Sequence, residues 1–263
     1  MILLHNAVYI SDLHVDKDPE WRSKLVPDTN RTLIVAGDVG RVEHTTLYIS
    51  SLEWLCQNFE HVILIPGNHE YYTSSPNLTI QSINLLLDGI ESKFVNLTII
   101  KNDWFVGYDY IFYGGTLWSQ VTEETYFQTP IYMGDHLITV DEWNRLHHES
   151  LNKLDEAIKI ANQLNRKLIV ATHYAPTYCN TLSQKYHNHH NNAMYCSNLD
   201  HYLQNQVIAA WIYGHTGFNG RYQKLTTNQL RAKDYNSNMS LQQLLYNQQC
   251  NIHPTEEIQN ITR

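Results

Sequence analysis

The stretch HVILIPGNHEYY, residues 61–72, decides how the rest of this sequence is interpreted. Its apolar residues at 62–65 predict a buried strand. The run breaks at a Pro-Gly pair, and Asn68, His69 and Glu70 follow at once. A buried strand that ends in polar side chains is typical of α/β proteins, which place their sites beyond the carboxyl ends of the strands.

The same order of apolar run and polar residues occurs four more times along the chain. Further strands are predicted at residues 7–10, 32–36, 168–171 and 209–213. The residues that follow these runs are of types that bind metals: Asp12 and His14, Asp38, His173, and His215. Any one of these motifs fits a simple turn. Five of them, each behind a strand, predict that the side chains meet at one site.

The segments between these strands are expected to supply helices and a second sheet. The spacing of apolar residues predicts helices at residues 45–58, 78–90 and 141–165, and a short one at 198–206. The first of these lies between two strands, which indicates a β-α-β unit and therefore a parallel sheet. Short β-rich pieces between residues 94 and 113 predict a meander that enters a second sheet. The aromatic loop at 121–139 is a candidate lid or substrate rim.

The bulk composition limits the class of protein. A chain of 263 residues that is 43% hydrophobic predicts one domain at residues 1–231. Residues 232–263 read as a polar, Asn/Gln-rich tail that is partly ordered at best. The net charge of −8 disfavours a broad nucleic-acid surface. The sequence shows no secretory signal and no apolar run of membrane-spanning length, and its four cysteines lack metal-type spacing, so we expect a cytoplasmic protein with reduced thiols.

Carboxylate, amide and imidazole ligands together suit a pair of divalent cations. We expect manganese first, with iron, zinc, cobalt or nickel as alternatives. Asp38 is the only lone carboxylate on its loop and is therefore suited to bridge two ions. Two ions about 3.5–4 Å apart lower the pKa of a shared water to near neutrality, and the resulting metal-bound hydroxide attacks phosphorus in line.

The five motifs resemble those of the calcineurin-like metallophosphoesterases, and the resemblance runs from about residue 7 to residue 217. The matching segments are Asp12-Leu13-His14, Gly37-Asp38, Gly67-Asn68-His69-Glu70, Thr172-His173 and Gly214-His215. The segments GNHEYY, GGTLWS, LHHES and THYAP further resemble a prokaryotic-type branch of predicted phosphohydrolases. The resemblance implies a four-layer α/β/β/α sandwich of two mixed sheets flanked by helices, with two metals between the sheet ends.

The same resemblance implies a role for each motif residue. Metal 1 would be held by Asp12, His14 and Asp38, and metal 2 by Asp38, Asn68, His173 and His215. The catalytic residues would be His69, Asp38 and Glu70. Of these, His69 would protonate the leaving oxygen or stabilise the phosphoryl group, and Glu70 would orient the His69 ring.

The last motif departs from the family pattern. It usually reads Gly-His-x-His, with the second histidine on metal 1, and this chain has Gly217 at that position. Water, Asn219 or one of the histidines of the loop at 187–190 could take its place; these are His187, His189 and His190. The departure also leaves an alternative function open, namely that of a weakly active or non-catalytic binding or scaffold protein.

Several side chains beside the motifs are candidates for substrate binding. Arg41 would contact phosphate or form a surface salt bridge. Tyr72, Trp118 and Tyr174 would stack on an aromatic group or pack in the core. His147 and His148, on the long predicted helix, favour a structural role.

The expected function is hydrolysis of a phosphomonoester or phosphodiester. The expected partner is a small phosphoester or nucleotide, or a phosphoprotein. A nuclease of the same superfamily would need a basic groove, and we find none in the linear sequence.

The departure at Gly217 gives a direct test. Gly217→His should tighten manganese binding at metal 1 by about 10- to 100-fold, because it restores an imidazole ligand. Equilibrium dialysis measures the change, with Phe218→His as the neighbouring control. An unchanged affinity in Gly217→His would show that another ligand already serves metal 1.

Overall fold

The computed structural model describes Leu4 and residues 7–108, 110–179, 181–182 and 189–216. Gly217 and the predicted tail lie outside the described residues. The elements up to the first sheet's last strand are β1 (Val8–Ile10), β2 (Asp28–Ala36), α1 (Thr45–Asn58), β3 (Phe59–Ile65), α2 (Ile80–Glu91) and β4 (Leu97–Ile99). Those that follow are β5 (Asp103–Val106), β6 (Ile111–Gly115), β7 (Tyr132–Met133), β8 (His136–Leu137), α3 (Val140–Gln163), β9 (Leu168–Thr172), α4 (Asp200–Leu203) and β10 (Ile208–Ile212).

The first sheet has the strand order β1-β2-β3-β4, and all of its pairs are parallel. Helices α1 and α2 connect β2 to β3 and β3 to β4, as parallel neighbours require. Ala36, the last residue of β2, pairs with Ile65, the last residue of β3. The chain therefore leaves these strands at the same edge of the sheet.

The second sheet has the order β10-β9-β6-β5 and contains both strand directions. Strands β5 and β6 form an antiparallel hairpin, while β6, β9 and β10 run parallel to one another. Gly115, which ends β6, pairs with Thr172, which ends β9. The parallel strands of this sheet thus also end together.

The two sheets pack face to face because alternate residues of each strand are apolar on the inner side. Ile34 and Ile63 of the first sheet share one buried cluster with Phe112, Ile169 and Ala210 of the second. The outer faces are packed with helices: α1 and α2 on the first sheet and α3 on the second. The described residues therefore form the α/β/β/α sandwich that the family resemblance implied, except that the first sheet is all parallel and the second one is mixed.

Two local predictions were wrong. Residues 94–95 do not form a strand, since they follow α2 in a turn, where Val95 is fully exposed (104%). Strand β4 belongs to the first sheet, because it pairs with β3, and so the chain enters the second sheet only at β5. The loop at 121–139 contains the short hairpin β7–β8.

Helix α3 begins with a capping box, in which Thr139 is the N-cap residue. The Glu142 backbone N–H donates to Thr139 Oγ1 (3.3 Å), and the Thr139 backbone N–H donates to Glu142 Oε2 (2.9 Å). The helix buries Trp143 and Leu154 against the second sheet. Among the described residues, no helix is both long enough and apolar enough to cross a bilayer.

Helix α2 offers a matched test of the layered packing. Leu87 is fully buried (0%), while Leu85 on the same helix is 71% exposed. We expect Leu87→Ala to lower the free energy of unfolding by about 2–5 kcal/mol, because it leaves a cavity under the sheet. Leu85→Ala should change it by less than about 0.5 kcal/mol. Urea denaturation measures both, and equal effects would contradict this packing.

Candidate metal centre

The structure brings the predicted metal ligands together at the common edge of the two sheets. They follow the carboxyl ends of five strands: Asp12 and His14 after β1, Asp38 after β2, Asn68 after β3, His173 after β9, and His215 after β10. Backbone hydrogen bonds tie the first two loops to each other. The N–H of Asp12 donates to Gly37 O and the N–H of His14 donates to Asp38 O, both at 3.0 Å.

One group of ligand atoms surrounds the ring of His173. Its Nε2 lies 2.9 Å from Asn68 Oδ1, 3.1 Å from His215 Nδ1 and 3.3 Å from Asp38 Oδ2. His173, Asp38 and Asn68 are almost completely buried. These are the residues that the family resemblance assigned to metal 2.

The outer nitrogens of both imidazoles fix how the rings face this group. His173 Nδ1 donates to the carbonyl of Ala36 (2.8 Å), and His215 Nε2 donates to the carbonyl of Met194 (3.1 Å). A carbonyl only accepts, so each outer nitrogen carries a proton, and the inner nitrogens are the ones that can offer a lone pair to a cation. Two inner imidazole nitrogens, a carboxylate oxygen and an amide oxygen converge, and a divalent cation that displaces the Nε2 proton of His173 fits such a set.

A second group shares Asp38. His14 Nε2 lies 3.8 Å from Asp12 Oδ1 and from Asp38 Oδ2, and His69 Nε2 lies 3.9 Å from Asp38 Oδ2. The Nδ1 atoms of His14 and His69 are buried and have no hydrogen-bond partner among the described residues. Ligand atoms of His14, Asp38 and His69 lie within 4.8 Å of one another. The geometry thus allows His69 to contact a cation as well as a substrate.

The charges at the site are strongly coupled. Burial alone would raise the pKa of the Asp38 carboxyl, but the charge and hydrogen bond of His173 hold that pKa well below its usual range. Burial alone would lower the pKa of the His173 ring, but the Asp38 carboxylate raises it to about 9. Burial lowers the pKa of His215 to about 3 and raises the pKa of Asp12.

The ligand loops are held in backbone conformations that side chains rarely adopt. Asp12, His14, Asp38 and His215 have φ angles of 57°, 45°, 60° and 69°. Such left-handed residues persist only where the surroundings hold them, and they cluster at functional sites. The chain also approaches itself closely here, since a Cβ on Gly214 would lie 2.7 Å from Asp12 Oδ2.

Glu70 has a different position from the one expected from the sequence. Its Oε2 accepts from the backbone N–H groups of Gly67 (2.6 Å) and Asp38 (3.0 Å). Its Oε1 accepts from the N–H of Val39 (2.7 Å) and from the Tyr48 hydroxyl (3.3 Å). These contacts join the loops after β2 and β3, and none of them is to the His69 ring. The expectation that Glu70 orients His69 is therefore corrected, because both oxygens of the Glu70 carboxylate accept hydrogen bonds from backbone N–H groups.

The predicted substrate contacts fall into two groups. Arg41 Nη1 pairs with Glu43 Oε1 at 3.2 Å, which matches the salt-bridge alternative. Trp118 and Tyr174 are buried in an aromatic core cluster, so for these two the packing alternative applies. Tyr72 is half-buried and its ring lies 4.5 Å from that of His69, at the edge of the site.

The other histidines lie apart from the ligand groups. His189 and His190 are exposed and stack on each other at 4.6 Å, and His187 lies outside the described residues. His147 is buried, and its Nδ1 bonds the carbonyl of Leu117 at 3.1 Å, while His148 is exposed.

Three supporting groups were missed by sequence reasoning. The Ser11 hydroxyl donates to Asp12 Oδ2 at 2.5 Å, and its place directly before a predicted ligand was a signal for it. Tyr195 stacks on His215 with ring centroids 5.1 Å apart, although it lies in a polar stretch. The carbonyl of Met194 has no sequence signal, because every residue carries one.

The Glu70 contacts can be tested by Glu70→Gln. Whichever way the amide turns, its NH₂ group faces backbone N–H donors, so buried donors lose their acceptor. We expect the free energy of unfolding to fall by about 1–3 kcal/mol and manganese affinity to fall by about 10- to 100-fold. Urea denaturation and equilibrium dialysis measure these changes. Tyr48→Phe is the matched control, since it removes one hydroxyl donor and leaves the backbone contacts. Wild-type manganese affinity in Glu70→Gln would show that this carboxylate does not position the ligands.

Comparison with known proteins shows relatives of this sequence and of this fold. The chain is 28% identical over 247 residues to the uncharacterized protein L509 of Acanthamoeba polyphaga mimivirus, covering 81% of this chain and 85% of that protein. Its fold is similar to that of the phosphopantetheinyl hydrolase PptH from Mycobacterium tuberculosis, with a TM-score of 0.57, 14% identity and coverage of 88% and 91% of the two chains.

A putative 5′-nucleotidase from Staphylococcus aureus, solved with α-ketoglutarate, matches with a TM-score of 0.45 and 11% identity, over 86% of this chain and 48% of that one. The prokaryotic-type branch suggested by the sequence stays a prediction. The family model for calcineurin-like phosphoesterases matches residues 6–217, and the chain therefore belongs to the calcineurin-like phosphoesterase family.

Proposed function

We propose that this protein hydrolyses phosphomonoesters or phosphodiesters with the help of two divalent cations. The observation that carries the proposal is the shared carboxylate of Asp38, whose Oδ2 faces both groups of ligand atoms. A single oxygen flanked by two sets of imidazole ligands suits a bridged pair of ions. Membership of the phosphoesterase family supports the same chemistry.

Each ligand has a proposed place in the pair. Asp12 and His14 would hold one cation and Asn68, His173 and His215 the other, with Asp38 shared. Manganese is the first choice, with iron, zinc, cobalt and nickel as alternatives. When bound, the pair of cations would lower the pKa of a water to near neutrality, so that it can serve as the nucleophile, and would neutralise charge on the phosphoryl oxygens.

His69 is proposed to act on the substrate. Burial lowers the pKa of its ring to about 4, although the Asp38 carboxylate raises it in part. A neutral ring donates a hydrogen bond from one nitrogen, which favours stabilisation of the phosphoryl group over protonation of the leaving oxygen. The backbone N–H of His69 donates to Asp38 Oδ1 (2.9 Å), so the same residue also orients the shared carboxylate.

The proposed substrate is a small phosphoester such as a nucleotide, or a phosphorylated protein side chain. The net charge of −8 supports these over duplex nucleic acid. The alternative is a weakly active or non-catalytic binding protein, which Gly217 favours because the family's usual imidazole is missing there.

Turnover of p-nitrophenyl phosphate and bis(p-nitrophenyl) phosphate with Mn²⁺ tests the proposal. Asn68→Ala should abolish turnover, and His69→Ala should lower kcat by about 10²- to 10⁴-fold. His148→Ala, an exposed histidine on α3, is the matched control and should retain wild-type activity. No turnover with any of the five metals would favour the binding protein.

Two further readouts assign the role of His69. Loss of rate on p-nitrophenyl esters indicates phosphoryl stabilisation, since p-nitrophenolate leaves without a proton. Loss restricted to alkyl esters would assign protonation of the leaving group instead. Unchanged manganese content in His69→Ala is expected, and loss of one ion would make His69 a metal ligand.

A further inference from the structure

Two aromatic rings lie between a predicted metal ligand and the protein surface. Tyr195 stacks on His215, with ring centroids 5.1 Å apart and 28° between the planes. Phe127 comes next, 6.5 Å from the Tyr195 ring at 47°. Phe127 is 39% exposed and Tyr195 is half-buried. We call Tyr195 and Phe127 the aromatic wall.

Other phenol groups lie around the same space. Tyr72 packs on His69, with ring centroids 4.5 Å apart, and the buried Tyr174 packs on His215 at 4.1 Å. Tyr195 contacts the same His215 ring. The aromatic wall therefore begins at the metal centre, where the phosphate of a bound phosphoester would lie.

The loop that carries Phe127 is firmly attached. The Tyr126 hydroxyl donates to the carbonyl of Ile138 (2.9 Å), and the carbonyl of Pro130 accepts from the N–H of Thr73 (2.9 Å). Ile131 and Ile138 are fully buried. Of the two sequence alternatives for this loop, these contacts favour a fixed substrate rim over a lid. Phe127 is thus exposed on a loop whose backbone is fixed by these contacts.

Arg41 lies three residues after Asp38. Its Nη1 pairs with Glu43, which in turn accepts from the backbone N–H of Ser74 (2.7 Å), and its Nε is buried with no hydrogen-bond partner among the described residues. A guanidinium complements the phosphate of a substrate, whereas ring surfaces bind flat organic groups by stacking.

We propose that the aromatic wall binds a flat aromatic group carried by the phosphoester, so that the preferred substrates are nucleoside or aryl phosphoesters. This inference rests on the proposed function, because it places the phosphate at the metal centre. Tyr195 and Phe127 would set specificity through affinity for the organic group, and neither takes part in the chemical step.

Binding of stable analogues tests the inference without turnover. Phosphonates are suitable probes, because their P–C bond is not an ester bond. Calorimetry with the manganese-loaded protein compares phenylphosphonate with methylphosphonate. A second arm compares the phosphonate analogues of AMP and of ribose 5-phosphate. The first pair reports an aryl group and the second a nucleobase.

We expect the aromatic member of at least one pair to bind about 5- to 150-fold more tightly, the range that stacking of one ring supplies. Phe127→Ala should reduce this ratio several-fold and leave methylphosphonate affinity unchanged. Tyr195→Leu should also reduce the ratio, and its manganese content is measured alongside, because Tyr195 packs on His215. Tyr108→Ala is the matched control. Tyr108 is 63% exposed and precedes β6, at the end of the second sheet away from the site.

Equal affinities within both pairs, no binding of the aromatic analogues, or ratios unchanged in Phe127→Ala and Tyr195→Leu would overturn the inference. Turnover of p-nitrophenyl phosphate by the same preparations is scored separately. Preferential binding of aromatic analogues without turnover would contradict the proposed function and support the aromatic wall as a binding surface. Turnover without this preference would support the proposed function and contradict the binding role of the aromatic wall.

Discussion

The site depends on one buried carboxylate. Glu70 accepts hydrogen bonds from backbone N–H groups on the loops after β2 and β3, so it fixes these loops against each other. Burial raises its pKa to about 7, while the backbone donors lower it by favouring the charged form. Asp38 and Asn68 sit on the two joined loops. Their separation is therefore set by the fold, which spares a cation much of the entropy of ordering its ligands.

Much of this arrangement could be predicted from the sequence, because it depends on patterns of neighbouring residues. Apolar runs predicted the main strands, and each was followed by ligand types that share an edge once the strands are parallel. The helix at 141–165 was evident from the spacing of its apolar residues. What sequence could not assign was non-local. Nothing within residues 97–99 says that they pair with β3 and not with the second sheet. Likewise, the residues around Glu70 give no sign that its carboxylate accepts hydrogen bonds from backbone N–H groups 30 residues away in sequence.

Aromatic residues show the same limit in another form. Trp118, Tyr174, Tyr72 and Tyr195 look alike in sequence, yet the first two are buried and the others are half-buried. Tyr174, Tyr72 and Tyr195 all contact histidines of the site. Packing and recognition use the same ring chemistry, so only burial separates them. The similarity to PptH, at 14% identity, shows a shared fold, and a shared fold does not define a substrate.

The distribution of ligands between the sheets links metal uptake to folding. Asp12, His14, Asp38 and Asn68 come from the amino-terminal sheet, whereas His173 and His215 come from the carboxyl-terminal one. The cation held by Asp38, Asn68, His173 and His215 would link the two halves of the chain at one end of the sandwich. Its binding free energy would then add to the resistance of the fold to heat, and a chelator that removes it would lower that resistance.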